Sequence, residues 1–120
     1  MKCPKCASSE LAPKQDNFLL ETDRCADCGG VWFDQQEIYA KIKNPTKFFA
    51  AFKEAYSKAA ETDFKCPRDG ERMIQTTFER ASLPFEACAK CGGMWFDKGE
   101  VEKLNRFLDE WQNAPDNAQS

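Results

Sequence analysis

The sequence lacks several features that whole classes of protein require. Histidine is absent from its 120 residues, which removes the commonest general base of enzymes. No apolar run approaches the roughly 20 residues that a membrane-spanning helix needs. Met1 and Lys2 lead straight into the first cysteine motif rather than into an export signal. We therefore expect a cytoplasmic protein that is not an enzyme and has no membrane partner.

A concentrated basic surface is also missing. Lys and Arg number 17 against 20 Asp and Glu, so that the formal net charge is −3. Proteins that hold a phosphate backbone rely on clustered Lys and Arg, whereas the basic residues here are scattered, with a mild concentration over residues 41–58. The charge pattern therefore argues against nucleic acid as a partner.

Cysteine, by contrast, is abundant. The chain has seven cysteines, an odd number that cannot pair off completely. In a chain without an export signal, such cysteines indicate metal binding before they indicate disulfides.

The cysteines belong to a motif that occurs twice, at a constant offset and without a gap, so that Cys3 matches Cys66 and Cys28 matches Cys91. Each copy has two knuckles, which are Cys-x-x-Cys turns with a spacer of the same length between them, except that Asp69 replaces one cysteine of the second copy. Each copy continues with Gly-Gly-x-Trp-Phe-Asp and then Glu. Such a match indicates an internal duplication. The cysteines are Cys3, Cys6, Cys25 and Cys28 in the first copy and Cys66, Cys88 and Cys91 in the second.

Paired knuckles are typical of zinc sites. Zinc takes four ligands in a tetrahedron, and two Cys-x-x-Cys turns supply four sulfurs. Pro4 and Pro67 stiffen the first knuckle of each copy, and the Gly-Gly pairs follow the second, where the backbone needs positive φ. Four free buried thiols in so short a module are a poor alternative, because little else forms a core. We therefore predict two Zn²⁺ sites; iron held as in a rubredoxin-like electron carrier is the alternative, which colour on purification would reveal.

The second site leaves three interpretations open. Asp69 ligates the metal directly, since carboxylate oxygen is a permitted zinc ligand. Alternatively, three cysteines and a water hold the metal, or the site is degenerate and empty.

The spacing of apolar and turn residues predicts a small metal-stabilised α+β fold. Each copy should be a zinc ribbon, with a β-hairpin between its knuckles and a helix after a capping box that begins at Asp34 or Asp97. Asn44-Pro45 should end the first of these helices and begin an aromatic-rich helix over residues 45–60, which joins the two ribbons and packs between them. The predicted hairpin strands are residues 10–14 and 18–24 in the first copy and 72–78 and 83–88 in the second. The predicted segments are ribbon 1 at 1–43, the connecting amphipathic helix at 44–63, ribbon 2 with its C-terminal helix at 64–112, and a disordered tail at 113–120.

The motif resembles the small bacterial zinc ribbons grouped as TFIIB-type, or transcription-factor-type, zinc-finger domains. The resemblance covers residues 2–43 and 65–104 and includes Trp-Phe-Asp and Glu as well as the cysteines. It implies that the seven cysteines are zinc ligands, and Asp69 departs from the pattern. The family name suggests transcription, but that suggestion rests on the similarity of the ribbon alone.

These observations favour a protein–protein interaction or scaffold module in which zinc is structural, with a protein partner whose identity the sequence does not give. The first alternative is a nucleic-acid-associated or transcription-linked ribbon. The second is a metalloenzyme that uses an open position at the second site as a Lewis acid. No catalytic residue is predicted, because the two Asp and Glu pairs are explained by helix capping.

Overall fold

The two copies of the motif form one antiparallel sheet. The structure, a computed structural model, describes residues 1–6, 9–15, 21–37, 45–78 and 82–113. The strands cross the sheet in the order β1-β2-β3-β7-β6-β5-β4, and all neighbours are antiparallel. The elements are β1 (Leu11–Gln15), β2 (Glu21–Cys25), β3 (Val31–Phe33), α1 (Pro45–Tyr56), β4 (Ala60–Lys65), β5 (Arg72–Phe78), β6 (Leu83–Ala87), β7 (Met94–Phe96) and α2 (Lys98–Asn113).

The sequence predicts two separate ribbons, whereas the structure joins them edge to edge. Strand β3 pairs with β7, so that Trp32 lies opposite Trp95 at the centre of the sheet. Both strands are very short, and all of their side chains are buried. So short an apolar run shows no period of two from which a strand could be predicted.

The strand pairs of the two predicted hairpins are present, although residues 18–20 of the predicted strand 18–24 lie outside the described residues. Strands β1 and β2 pair from Leu11 opposite Cys25 to Gln15 opposite Glu21, and β5 and β6 pair from Ile74 opposite Ala87 to Phe78 opposite Leu83. The predicted connecting helix is shorter than expected, since α1 ends at Tyr56 and residues 60–65 form β4 along the outer side of β5.

The helices cover one face of the sheet. Phe48 of α1 is fully buried, and its ring lies 5.4 Å from that of Trp111 and 5.9 Å from that of Phe107, both in α2. At the other end of α1, Thr76 of β5 donates a hydrogen bond of 2.6 Å to the carbonyl of Ala55. Helix α1 therefore packs on α2 and on the β5 side of the sheet, and not between two ribbons.

Some predictions lie outside the described residues. The helix after Asp34 begins, with residues 35–37 helical, but residues 38–44 are not described. The side chains of Phe49 and Phe52 and the tail beyond Asn113 are likewise outside the described part. Within that part, neither helix is both long and apolar enough to cross a membrane.

Candidate metal centres

The first centre brings together the four cysteines of the first copy. Cys3 and Cys6 come from the turn before β1, whereas Cys25 ends β2 and Cys28 lies in the turn that follows. Their four sulfurs lie within 4.8 Å of one another. The Sγ atoms of Cys3 and Cys28 are 3.7 Å apart, and those of Cys6 and Cys25 are 3.8 Å apart. A zinc ion with four Zn–S bonds of ~2.3 Å needs sulfurs separated by ~3.8 Å, so the cluster fits this ion.

The second centre repeats this arrangement with one oxygen. Cys66, Asp69, Cys88 and Cys91 also place one ligand atom each within 4.8 Å of the others. The Sγ atoms of Cys66 and Cys91 are 3.7 Å apart, and Oδ2 of Asp69 lies 3.2 Å from Sγ of Cys88. Asp69 is therefore on the same side as the three sulfurs, at the position that Cys6 occupies in the first centre.

The electrostatics of Asp69 favour its anionic form. The backbone N–H of Glu71 donates a hydrogen bond of 2.9 Å to Oδ1 of Asp69, and this bond lowers the pKa of the carboxyl. Oδ2 remains directed at the sulfurs. A carboxylate held by one oxygen and offering the other is suited to bind a cation.

Burial makes the thiols poor acids without a cation. It raises the pKa of Cys3 to about 12 and also raises the pKa values of Cys66 and Cys88. For Cys25, burial acts in the same direction, but hydrogen bonds from the backbone N–H groups of Cys28 and Asp27 lower the pKa to about 7. Clustered buried thiols become thiolates readily when a metal ion supplies the compensating charge.

The first glycine after each second knuckle serves the turn. The sequence predicts positive φ for both glycines of each pair, and the structure has it at the first of each, with φ of 75° at Gly29 and 79° at Gly92. Their N–H groups close the turns onto the carbonyls of Cys25 and Cys88 at 2.8 Å.

The next glycine in each copy has no side chain for a different reason, which is close approach. A Cβ on Gly30 would lie 2.1 Å from the Trp95 ring, and one on Gly93 would lie 2.1 Å from the Trp32 ring. Each Gly-Gly pair therefore shapes its own knuckle and accepts the tryptophan of the other copy.

The two acidic caps also hold the tryptophans. Oδ1 of Asp34 accepts a hydrogen bond of 2.9 Å from the indole N–H of Trp32, and Asp97 accepts one of 3.0 Å from Trp95. The backbone N–H of Asp34 donates to Oε1 of Glu37 at 2.7 Å, which is the reaching-back half of the predicted capping box. In the predicted box each Asp oxygen accepts from a backbone amide of its helix, whereas in the structure Asp34 and Asp97 accept from the tryptophans instead.

Basic residues of the first knuckles reach across to the other copy. The ammonium of Lys5, between Cys3 and Cys6, forms an ion pair with Glu86 of β6 and lies 3.9 Å from Asp97. Arg68, between Cys66 and Asp69, donates from Nε to Asp34 at 2.9 Å, forms an ion pair with it, and lies 3.8 Å from Asp23 of β2.

From the sequence, Asp34 and Asp97 are assigned only to helix capping, and Lys5, Arg68, Asp23 and Glu86 are not singled out, yet a signal is present. When the two copies are aligned, Lys5 matches Arg68, Asp23 matches Glu86 and Asp34 matches Asp97. The sign of the charge is thus kept at each of these three positions, whereas many of the neighbouring spacer residues differ. A position that keeps its charge through a duplication is a candidate for a specific contact.

Comparison with known proteins agrees with this geometry. The family model described as transcription factor zinc-finger matches residues 2–44 and 65–106, which is more than half of the chain and includes both centres. The chain belongs to the transcription factor zinc-finger family. It carries two tandem copies of the family's ribbon, and its two clusters fit two Zn²⁺ ions, with Asp69 as the departure in the second copy. Searches of curated proteins and of solved structures gave no match.

Proposed function

We propose that the chain is a protein-interaction module, an adaptor or scaffold, in which both zinc ions are structural. The observation that carries the proposal is the number of donors. Each cluster offers four ligand atoms at mutual distances within 4.8 Å, and structural zinc sites are filled by four protein ligands whereas catalytic sites keep one position open. In this proposal all eight residues bind metal: Cys3, Cys6, Cys25 and Cys28 in one centre, and Cys66, Asp69, Cys88 and Cys91 in the other.

Charge supports a protein partner over nucleic acid. Seven thiolates add seven negative charges and two zinc ions add four positive charges, so that the formal charge of −3 falls to −6 in the loaded chain. A negatively charged surface repels a phosphate backbone at long range. Reduced cysteines also suit the cytoplasm, where we propose that the module works.

The family name favours a second candidate, a ribbon that acts near nucleic acid in transcription. The metalloenzyme alternative depends on Asp69, the exposed member of its cluster, being displaced by a water. We rank both below the interaction module. The negative net charge disfavours binding to nucleic acid, and the metalloenzyme requires one of the four ligands of the second centre to be displaced from the metal.

Affinity capture from the native host tests the proposal. The tagged, zinc-loaded chain is photo-cross-linked, captured before and after nuclease treatment, and compared with a Cys88→Ser/Cys91→Ser variant that lacks the second centre. We expect to capture a protein that stays bound after nuclease treatment. In calorimetry this purified partner should bind the zinc-loaded chain, and it should bind the variant at least tenfold more weakly. Capture that disappears with nuclease would support the transcription-linked candidate instead, and the absence of any reconstituted partner would refute the adaptor role.

A further inference from the structure

The cross-copy ion pairs connect each metal centre to the other. Lys5 lies inside the first knuckle of copy 1, whose shape depends on the metal ligands Cys3 and Cys6. Its ammonium contacts Glu86, which lies two residues before Cys88 on the strand that leads into the second centre. A knuckle ordered by one metal thus holds the strand that leads to a ligand of the other.

Glu86 depends on this partner. Its side chain is only 3% exposed, and its carboxylate forms an ion pair with the Lys5 ammonium. The Lys5 ammonium also lies 4.0 Å from the centre of the Phe64 ring, in the strand that leads to Cys66. A buried carboxylate is strongly destabilising when its counter-ion is removed. Disorder in the first knuckle of copy 1 would therefore destabilise the strand that leads to the second centre.

The reverse connection has the same form. Arg68 lies inside the first knuckle of copy 2, and its guanidinium holds Asp34 with two nitrogens. Asp34 in turn accepts the indole N–H of Trp32. Arg68 also approaches Asp23, which lies two residues before Cys25. The first knuckle of copy 2 thereby fixes the strand and the cap that flank the first centre.

We propose that Lys5 and Arg68 are positioning residues, each of which stabilises the zinc centre of the opposite copy. Each centre then depends on a basic residue that is held by the first knuckle of the other copy, so that the dependence runs in both directions. This inference goes beyond the interaction role, and it holds whether the partner is a protein or a nucleic acid.

Site-resolved metal release from the full chain tests the coupling. The chain is loaded with ¹¹³Cd²⁺, whose NMR resonances separate a four-sulfur centre from one with three sulfurs and an oxygen. The decay of each resonance is followed after addition of a chelator. We expect Lys5→Met to accelerate release from the second centre by about tenfold, and Arg68→Met to accelerate release from the first by a similar factor, within the usual range of coupling free energies.

Three variants separate positioning from general effects of charge. Lys90 lies in the second knuckle of copy 2, where its side chain is 67% exposed and its Nζ lies 3.7 Å from Glu71 of the same copy. Lys90→Met should therefore change the release rates of both centres by less than about twofold. Lys5→Arg keeps the charge and should preserve most of the wild-type metal retention, whereas Arg68→Lys keeps the charge but loses the two-nitrogen contact with Asp34 and should preserve only part of it.

The proposal requires each of the two methionine variants to accelerate metal release mainly from the centre of the opposite copy. A variant that loosens mainly its own centre, both centres equally or neither centre would overturn the proposal. If Lys5→Met fails to fold because Glu86 is left buried and unpaired, Arg68→Met decides alone, since its side chain is 47% exposed and its removal leaves Asp34 with the Trp32 hydrogen bond.

Discussion

Trp32 and Trp95 lie opposite each other in the register of β3 and β7, although they are far apart along the chain. They occupy the same position in the two copies of the motif. The neighbouring pairs are related by the same symmetry, since Val31 lies opposite Phe96 and Phe33 lies opposite Met94. The two copies are therefore related as the subunits of a two-fold symmetric dimer, in which the same patch is used from both sides, here within a single chain.

This symmetric contact depends on glycine. Gly93→Ala should destabilise the zinc-loaded chain by about 3 kcal/mol, at the upper end for overpacking a core. A Cβ there would meet the Trp32 ring at 2.1 Å, and that ring is fully buried and held by Asp34. Urea unfolding followed by tryptophan fluorescence measures the change.

Gly99 provides the matched control. It lies in the first turn of α2 and has open space where a Cβ would be placed, so Gly99→Ala should be neutral or stabilising by up to about 1 kcal/mol. Equal losses in the two variants would show that the close approach of Gly93 and Trp32 is not what matters.

The two centres should hold zinc unequally. The second has one oxygen donor among three sulfurs, and oxygen is the less favoured ligand of a borderline metal at a thiolate-rich site. A chelator should therefore remove zinc from the second centre first. Asp69→Cys should raise the zinc affinity of that centre and so reduce the difference in affinity between the two centres. Cys6→Asp should lower the zinc affinity of the first centre for the same reason. Native mass spectrometry, with close to two zinc ions expected at the start, follows both steps.

Asp69→Ala tests whether Asp69 is a ligand. If the second zinc stays as tightly bound as in the wild type, Asp69 does not coordinate it. Loss from the first centre before the second would likewise contradict the assigned order.

The partly buried carboxyl of Glu37 should make the stability of the chain depend on pH. Burial first, and then the charges of Asp34 and Asp23, raise the pKa of Glu37 from its ordinary 4.5 to about 7. The folded chain thus prefers the neutral form, and the stability associated with that preference is present at low pH and is lost as pH rises through about 7. Glu37→Gln keeps a hydrogen-bond acceptor for the Asp34 N–H and removes the titration.

The measurement compares the wild type with Glu37→Gln in excess zinc between about pH 6 and about pH 8, where the wild type should lose stability relative to the variant as pH rises. Glu102→Gln, on an exposed side of α2, controls for the loss of one negative charge. A difference between wild type and Glu37→Gln that stays constant with pH would contradict the raised pKa.

Binding to generic DNA should be weak. The loaded chain carries a formal charge of about −6, which opposes long-range attraction to phosphate. In a mobility-shift titration at physiological salt we expect no discrete complex at micromolar protein. Tight binding that weakens steeply with added salt would place the transcription-linked function ahead of the adaptor.

The centres can be predicted from the sequence because their information is local. A knuckle needs only its Cys-x-x-Cys spacing and its turn residues, and both are visible within a few positions. The β5–β6 hairpin is predictable for the same reason, since residues 72–78 and 83–88 are rich in β-forming residues and flank a short turn.

The pairing of β3 with β7 could not be predicted in this way. It joins segments from different copies of the motif, and each strand is very short and wholly buried. Strand β4 was also not predicted, because only Thr62 and Phe64 among its residues are strong β-formers; its pairing with β5 makes it a strand. The contacts of Lys5 and Arg68 follow from the β3–β7 pairing, so they could not be predicted without knowing that the two ribbons form one sheet.

The joining of β3 to β7 also leaves little of the sheet open to self-association. An unpaired strand edge is a template for adding another chain and therefore an aggregation hazard, and each ribbon alone would present such an edge at its third strand. In the described sheet those two edges cover each other. The outer strands are β1, where Pro13 lacks an N–H to donate, and β4, where Glu61, Asp63 and Lys65 are exposed. Natural sheets place proline and charged residues at their borders, so both outer strands of the described seven-stranded sheet carry residues that oppose the addition of another chain.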